Sequence, residues 1–285
     1  MTPATETFVR FLTGHSGCIL SLYRDENGLF VRKTSGSHEY NKRLEKQCIK
    51  QRLAGGDNFS TPAVLRAGYD KNGLFYFDMQ FLNCQSMDKY FKTIKMGTIP
   101  AIVANLFRAF PIETAIDTDA SDQIGAKISE LRSKIKEPSP NVCTALDMLM
   151  RYDFSDLPQS ACHGDLTLEN IMISDDGKIY LIDLLDSFFN SWIIDIAKIL
   201  QDIDLHWSYR HGKMDANLAL RLMVAKEEIF KNILSMNNGT KILADIYHIL
   251  LLNVIRIYPY AKDDVTFAFL DKALEKVFKQ IKDLQ

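Results

Sequence analysis

The first third of the chain alternates apolar and polar positions in short runs that turn-forming side chains separate. Such alternation is typical of strands, and two runs joined by a short turn predict a hairpin. Between the two predicted hairpins lies a stretch without Pro or Gly that is rich in Lys, Arg, Glu, Gln and Leu, which favours a helix ending at a Gly pair. The predicted elements are strands at residues 18–24, 29–33, 63–69 and 74–81 and a helix at residues 41–54.

From Ser86 onward the apolar spacing becomes helical, with interruptions near prolines. One β insertion breaks this helical region, because two short apolar runs at residues 171–174 and 178–183 lie on either side of an Asp-Asp-Gly turn. The sequence therefore predicts an α+β, two-lobed fold. We expect a small, mainly β N-terminal lobe at residues 1–82 and a larger, mainly α C-terminal lobe at residues 83–285.

Composition excludes several classes of protein. The chain has 285 residues, 47% of them hydrophobic, and a formal net charge of -2, so no overall positive field favours nucleic acid or an anionic membrane. Its five cysteines are scattered and never form CxxC, which disfavours a disulfide framework and a zinc site. The densest apolar stretch, residues 249–257, is too short to span a membrane and contains Asn253 and Arg256. We expect a cytoplasmic protein, and the oligomeric state stays open.

The strongest candidate for chemistry is the sequence HGDLTLEN at residues 163–170, followed by the strand IYLID that ends at Asp183. Phosphoryl transfer needs positioning of the reacting groups and neutralisation of phosphate charge by metal ions, which carboxylate and amide oxygens hold. Asp165 and Asn170 lie five residues apart, and Asp183 follows thirteen residues later. Each residue alone has an ordinary structural explanation, but their spacing, the hairpin between them and the preceding β-then-α order agree on phosphoryl transfer.

HGDLTLEN followed by LID resembles the catalytic-loop and metal-binding motifs of the aminoglycoside phosphotransferase and choline kinase family, which has a protein kinase-like fold. The resemblance implies that ATP and Mg²⁺ are cofactors. It implies that Asp165 accepts or orients the proton of the attacking hydroxyl and that Asn170 and Asp183 hold magnesium. His163 would support the loop.

Two further acidic residues follow the motif. Asp195 resembles the family's aspartate that holds the catalytic loop in place, although a carboxylate in a first helical turn is also stabilised by the helix dipole. Asp186 could face the metal site, the substrate or solvent.

The resemblance also suggests nucleotide-binding residues. Lys33 matches the strand lysine that reaches the ATP phosphates, and Gly14 and Gly17 could form a turn over the phosphates because glycine lets backbone amides approach an anion. Residues 77–83, which include Gln80 and Leu82, resemble the hinge that receives adenine through backbone groups.

The lysine of such a site needs a helix carboxylate to orient it. Glu45 on the predicted helix is the first candidate for this partner of Lys33, and Glu39 is the second. One turn after Glu45 the same face carries Ile49 in place of an acid. The predicted ion pair is therefore a hypothesis.

Residues 201–211 combine two carboxylates, an indole and a phenol. This cluster could line an acceptor pocket for a sugar or a cationic amine, because aromatic faces attract both, or it could be the end of an amphipathic helix.

Three functions remain. A small-molecule kinase would move the γ-phosphate of ATP directly, without a phosphoenzyme, to a hydroxyl of a sugar, an amino sugar or aminoglycoside, or an amino alcohol. A protein kinase is disfavoured because Leu184 and Leu185 follow Asp183 and no Ala-Pro-Glu occurs after Asp195. A nucleotide-binding pseudokinase is the third alternative, which the missing acid at Ile49 supports.

Overall fold

A computed structural model describes residues 6–12, 17–55 and 59–284. The strands are β1 Thr7–Leu12, β2 Cys18–Asp25, β3 Gly28–Ser35, β4 Val64–Tyr69, β5 Phe75–Gln80, β6 Gln85–Ser86, β7 Ile116–Thr118, β8 Leu157–Gln159, β9 Ile171–Ile173 and β10 Ile179–Leu181. The helices are α1 His38–Leu53, α2 Met87–Tyr90, α3 Ile99–Ala109, α4 Ser121–Lys134, α5 Pro140–Arg151, α6 Trp192–Ile203, α7 Ala216–Leu234, α8 Gly239–Ile255 and α9 Asp264–Asp283.

The chain divides into two compact units. The first unit contains Met1–Ser86 and Asn170–Asp186, and the second contains Met87–Glu169 and Ser187–Gln285. The hairpin β9–β10, which interrupts the helical half of the sequence, thus groups with the N-terminal strands.

The first unit is built on an antiparallel five-stranded sheet with the order β1-β2-β3-β5-β4. Helix α1 begins after Ser37, whose hydroxyl accepts the Tyr40 N–H at 3.3 Å as an N-cap. Its buried residues Leu44 and Cys48 pack with Phe75 and Phe77 of β5. Burial of these apolar side chains fixes α1 on the sheet.

A second, three-stranded sheet in the first unit has the order β10-β9-β6. The backbone of Ser60 joins it, because the Ser60 N–H donates to the carbonyl of Ile179 at 3.1 Å and the Leu181 N–H donates to the Ser60 carbonyl at 2.8 Å. These bonds anchor the hairpin that carries Asn170 and Asp183 at its ends.

The second unit is mainly helical, with one two-stranded sheet, β7–β8. Helices α6 and α8 contact each other at its centre, and every residue of α6 is buried. In the described part of the chain, Gly239–Tyr260 is the one helical stretch that is long and apolar enough to cross a membrane, and 72% of its apolar 18-residue window is buried inside the protein. That burial identifies it as a core helix.

The predicted α+β organisation is confirmed, as are the strands of both N-terminal hairpins and the helix that follows the first hairpin. Four described strands were not predicted. β1 alternates over only six residues, β6 has two residues, and β7 and β8 have three residues each, which is too short for periodicity to identify.

Gly239, the first residue of α8, tests how tightly the second unit is packed. A Cβ added there would overlap the carbonyl oxygen of Ile233 and lie 2.8 Å from the Cα of Leu234, both backbone atoms. We expect Gly239→Ala to lower the free energy of unfolding by about 1–3 kcal/mol. Thermal and urea unfolding would measure the change.

Gly125, in the middle of α4, is the matched control, because a Cβ there would meet no atom within 4 Å. Gly125→Ala should stabilise the protein by up to about 1 kcal/mol through helix propensity. Equal effects of the two substitutions would contradict the packing seen at Gly239.

Candidate active site

The loop that contains the HGD motif is fixed at its start by Asp195, in the first turn of α6. The Asp195 carboxylate accepts the backbone N–H of His163 at 2.6 Å and that of Gly164 at 2.9 Å. Gly164 has a φ of 90°, a conformation that favours glycine. The buried Asp195 carboxylate thus orients two consecutive loop amides, which is the predicted loop-holding role rather than a helix-dipole effect alone.

A second carboxylate of α6 holds the other end of this loop. Asp202 is fully buried and accepts the Leu168 N–H at 2.7 Å, as well as the N–H and hydroxyl of Ser208 at 3.0 and 2.7 Å. Burial raises the pKa of Asp202 to about 6, although the three hydrogen bonds oppose the shift. The loop between His163 and Leu168 is therefore tied to α6 on both sides.

Asp165 lies between these two anchors, and its carboxylate is 3.1 Å from the ammonium of Lys198 on α6. Burial opposes ionisation of Asp165, but the charge and hydrogen bond of Lys198, with a smaller contribution from the charge of Arg256, outweigh it, so the pKa of Asp165 is lowered. The carboxylate is ionised at neutral pH and is a strong hydrogen-bond acceptor. Such a group can orient a hydroxyl and take up its proton.

His163 is buried, and its Nδ1 accepts the N–H of Asp165 at 3.3 Å. This bond lies within the loop and fixes the backbone of the residue that carries the reactive carboxylate. The geometry supports a positioning role for His163.

The first unit brings Lys33 and Asp183 together. Lys33 is 2% exposed, and its ammonium contacts the carboxylate of Asp183 at the end of β10. Asp183 has a φ of 62°, an uncommon backbone conformation for a residue with a side chain. Asn170 lies at the other end of the same hairpin, and its backbone carbonyl accepts the N–H of Ile182 at 3.0 Å. The hairpin therefore sets Asn170 beside the residue that precedes Asp183.

The side chains of Asn170 and Asp183 carry the type of oxygen atom that magnesium binds. In the described part of the chain, no group of three or more His, Cys, Asp or Glu could enclose a metal. Magnesium does not require such a cage, because it binds through one or two protein oxygens plus water and substrate phosphates. A carboxylate on Asp183 and an amide on Asn170 supply oxygens of this kind.

The helix carboxylates predicted to orient Lys33 make other contacts. The Glu45 carboxylate accepts the hydroxyl of Tyr69, and Glu39 is exposed near the start of α1. The ammonium of Lys46 lies 3.5 Å from the carboxylate of Asp186, and both side chains are exposed. Within the first unit, the ammonium of Lys33 contacts the carboxylate of Asp183.

Of the predicted nucleotide-binding positions, Gly14 lies outside the described residues. Gly17 is described, and its carbonyl accepts the Gly36 N–H at 2.9 Å. Gln80 ends β5 and donates its N–H to Ala63 at 2.9 Å, and Leu82 follows in a half-buried loop. The adenine-binding role of Gln80 and Leu82 stays a prediction.

The suggestion that the two carboxylates near residue 203 line an acceptor pocket is wrong. Asp202 accepts hydrogen bonds from Leu168 of the HGD loop and from Ser208. Asp204 is buried between the ammonium groups of Lys226 and Lys276, at 3.1 and 2.8 Å, and the hydroxyl of Tyr247 at 2.7 Å. The charges that would attract a cationic amine are thus neutralised inside the second unit.

Comparisons with known proteins place this site in context. A family model described as the phosphotransferase enzyme family matches residues 109–224, which include the HGD loop and Asp183. A comparison with the sequences of curated proteins gives no significant match.

Similar solved structures share the fold along almost the whole chain. A thermostable mutant of aminoglycoside phosphotransferase APH(4)-Ia matches with a TM-score of 0.67 and 15% identity over 97% of this chain and 95% of that chain. A ternary complex of such a mutant with AMP-PNP and hygromycin B has a TM-score of 0.66 at 13% identity, over 98% of this chain and 94% of that chain. A Haemophilus somnus 129PT protein assigned as a fructosamine-3-kinase has a TM-score of 0.55 at 16% identity, over 95% and 91%.

The two-lobed kinase-like fold predicted from the sequence is confirmed by these structures, and the match to the family model covers the HGD motif. Together they confirm the predicted resemblance to the aminoglycoside phosphotransferase and choline kinase family and support a small-molecule phosphotransferase.

Proposed function

We propose that the protein transfers the γ-phosphate of ATP, with magnesium, to a hydroxyl group of a small molecule. The observation that supports this most directly is the state of Asp165. Its carboxylate is kept ionised by Lys198 and lies on a loop whose backbone two buried aspartates of α6 hold. Direct phosphoryl transfer requires the protein to supply a proton acceptor for the attacking hydroxyl that is ionised and held in place.

In the second unit, Asp165 accepts the hydrogen bond of the substrate hydroxyl and takes its proton as the new bond forms. His163 positions Asp165 through the loop backbone, and Lys198 sets its charge state. The reaction proceeds by direct transfer without a phosphoenzyme, because no suitably placed His or Ser nucleophile accompanies the motif: His163 is buried and bonded within the loop.

In the first unit, Lys33 binds the nucleotide phosphates, and Asn170 and Asp183 hold magnesium. Bound ATP and magnesium supply the phosphoryl group and the charge that neutralises it. The contact between Lys33 and Asp183 supports this division of roles, because it places a buried ammonium group and a carboxylate side by side. Gly17, Gln80 and Leu82 complete the proposed nucleotide-binding residues, whereas Glu45 has Tyr69 as its partner.

The APH(4)-Ia complex with AMP-PNP and hygromycin B supports a nucleotide and a small acceptor as ligands. Sugars, amino sugars or aminoglycosides, and amino alcohols are the acceptor classes that the resemblance suggests. We place the reaction in the cytoplasm, where ATP and magnesium are available.

Substitution of Asp165 or of Asp183 by Asn should separate the roles of the two units. Asp165→Asn should reduce kcat by about a hundredfold or more, because the hydroxyl loses its proton acceptor, while the affinity for AMP-PNP and magnesium stays within error. Asp183→Asn should weaken magnesium-dependent binding of AMP-PNP as well as turnover. ATP consumption with a panel of hydroxyl acceptors and calorimetric titration with AMP-PNP would measure both effects.

The control for this pair is Asp175→Asn, in the exposed turn of the same hairpin as Asp183. It removes one negative charge from the hairpin and should leave nucleotide affinity unchanged. Normal turnover of both the Asp165 and Asp183 variants would refute the proposed function.

The ion pair of Asp165 with Lys198 predicts a pH effect. Without Lys198, burial would raise the pKa of Asp165, so the carboxylate would become protonated at higher pH. We expect Lys198→Met to move the acid limb of the pH profile of kcat to higher pH. Lys231→Met, which removes an exposed surface cation from α7, should leave the profile in place. An acid limb that does not move in Lys198→Met would show that Lys198 does not control the charge of Asp165.

A further inference from the structure

A cavity of about 210 Å³ lies in the second unit between α4, α6 and the end of α8. Its volume is small compared with the roughly 300–1,000 Å³ of pockets that enclose whole drug-sized ligands. The polar residues that line it are Lys127, Glu130 and Lys134 of α4, Lys198 of α6, Asn253 of α8, and Arg256 and Tyr260, which follow α8. Lys198 also contacts Asp165, so the cavity adjoins the reactive carboxylate.

The charge of the cavity lining is predominantly positive. Four side chains with positive charges line it, against the single carboxylate of Glu130. That carboxylate is already bonded to Lys127 at 2.8 Å and Lys134 at 2.6 Å. The remaining two cations, Lys198 and Arg256, share the nearby charge of Asp165. The lining therefore lacks the negative charge needed to balance its cations.

Arg256 is the cation whose direct partners carry no charge. Its guanidinium donates to the amide oxygen of Asn253 at 3.1 Å and lies 5.1 Å from the ring centre of Phe188. Burial lowers the pKa of Arg256, and Asp165 opposes this shift most strongly. A guanidinium stays charged under such conditions, and its planar fork matches carboxylate and phosphate groups.

Asn253 adds an unpaired donor to the same cavity. The residue is fully buried, and its Nδ2 has no hydrogen-bond partner. The bond from Arg256 to Oδ1 defines the orientation of the amide, which leaves the NH₂ group as the unpaired side. A buried amide donor without a partner is unfavourable, so this position calls for a ligand acceptor.

We propose that this cavity binds an anionic group of the hydroxyl acceptor, a carboxylate or a phosphate. The inference rests on the proposed function and narrows its acceptor class. Asn253, Arg256 and Lys198 present donors only, so the group that satisfies them is an acceptor of hydrogen bonds with negative charge. The contact of Lys198 with Asp165 brings a hydroxyl of the same molecule to the reactive carboxylate. A polycationic aminoglycoside is repelled by this cavity.

The first test is binding of inorganic phosphate, measured by calorimetry in the presence of saturating AMP-PNP and magnesium so that the nucleotide site is filled. Arg256→Gln should raise the dissociation constant of phosphate about tenfold or more, because it removes a charge-assisted hydrogen bond. Arg256→Lys, which keeps the charge, should restore part of the affinity. This rescue separates loss of charge from loss of packing.

Arg132→Gln is the matched control for charge. Arg132 lies on α4, outside the cavity lining, and is exposed. The variant should bind phosphate as the wild type does. Absence of phosphate binding to the wild type, or equal weakening in the Arg256 and Arg132 variants, would overturn the proposed anion site whether or not the enzyme is active.

The second test determines the charge class of the acceptor without its identity. A deproteinised, nucleotide-free cell extract would be separated on an anion-exchange column at pH 7.5, and each fraction assayed for transfer of labelled γ-phosphate from ATP. The acceptor should occur in the retained fraction, and its transfer should fall in Arg256→Gln through a raised KM. Treatment of that fraction with alkaline phosphatase would abolish transfer to a phosphate-bearing acceptor and spare a carboxylate.

The outcomes distinguish the two proposals. Transfer confined to the unretained fraction would refute the anionic acceptor and leave the kinase function intact. Lack of transfer to every fraction, together with lack of AMP-PNP binding, would refute the kinase function, and the phosphate titration would still decide whether the cavity is an anion site.

Discussion

One polar face of the buried helix α6 holds the loop that contains the HGD motif. Asp195, Lys198 and Asp202 follow each other on α6 at the spacing of one helical face, and each contacts a different part of the loop. Burying charged side chains is costly unless they find hydrogen-bond or ion-pair partners. Here loop N–H groups donate to Asp195 and Asp202, and the carboxylate of Asp165 pairs with Lys198. For Asp202 the hydrogen bonds compensate only part of the cost of burial. Burial still raises the pKa of Asp202 to about 6, so the stability associated with its neutral form is lost as the pH rises through that value.

The sequence predicted the elements that local patterns determine. Both N-terminal hairpins, α1 and the hairpin β9–β10 follow from alternation and turn residues, and the motif around Asp165 followed from resemblance. The motif was predictable because its residues are close along the chain. Lys198 was missed because its role depends on the packing of α6 against a loop more than thirty residues earlier. The sequence allowed Asp202 either in an acceptor pocket or at the end of an amphipathic helix, because local composition does not show that the side chain is buried.

The sequence did contain a signal for the cavity, in the positions of Asn253 and Arg256. They are the polar residues that interrupt the most apolar stretch of the chain. From the sequence alone they indicate only that this stretch does not span a membrane. In the structure they line a cavity between α4, α6 and α8. A polar side chain that remains in an otherwise buried apolar helix has to find a partner, so such a position identifies a candidate site. Its chemistry could not be predicted, because the facing cations come from helices distant in sequence.

The same cations connect acceptor choice with catalysis. Lys198 and Arg256 lower the pKa of Asp165 while they line the proposed anion site. A carboxylate or phosphate bound there neutralises part of their charge, which lets burial act more strongly on Asp165 and raises its pKa. A carboxylate with a higher pKa is a stronger base. If the cavity binds an anionic acceptor as proposed, Asp165 would be a weaker base with the cavity empty and a stronger one with the acceptor bound, so the charge of the acceptor would contribute to its own selection.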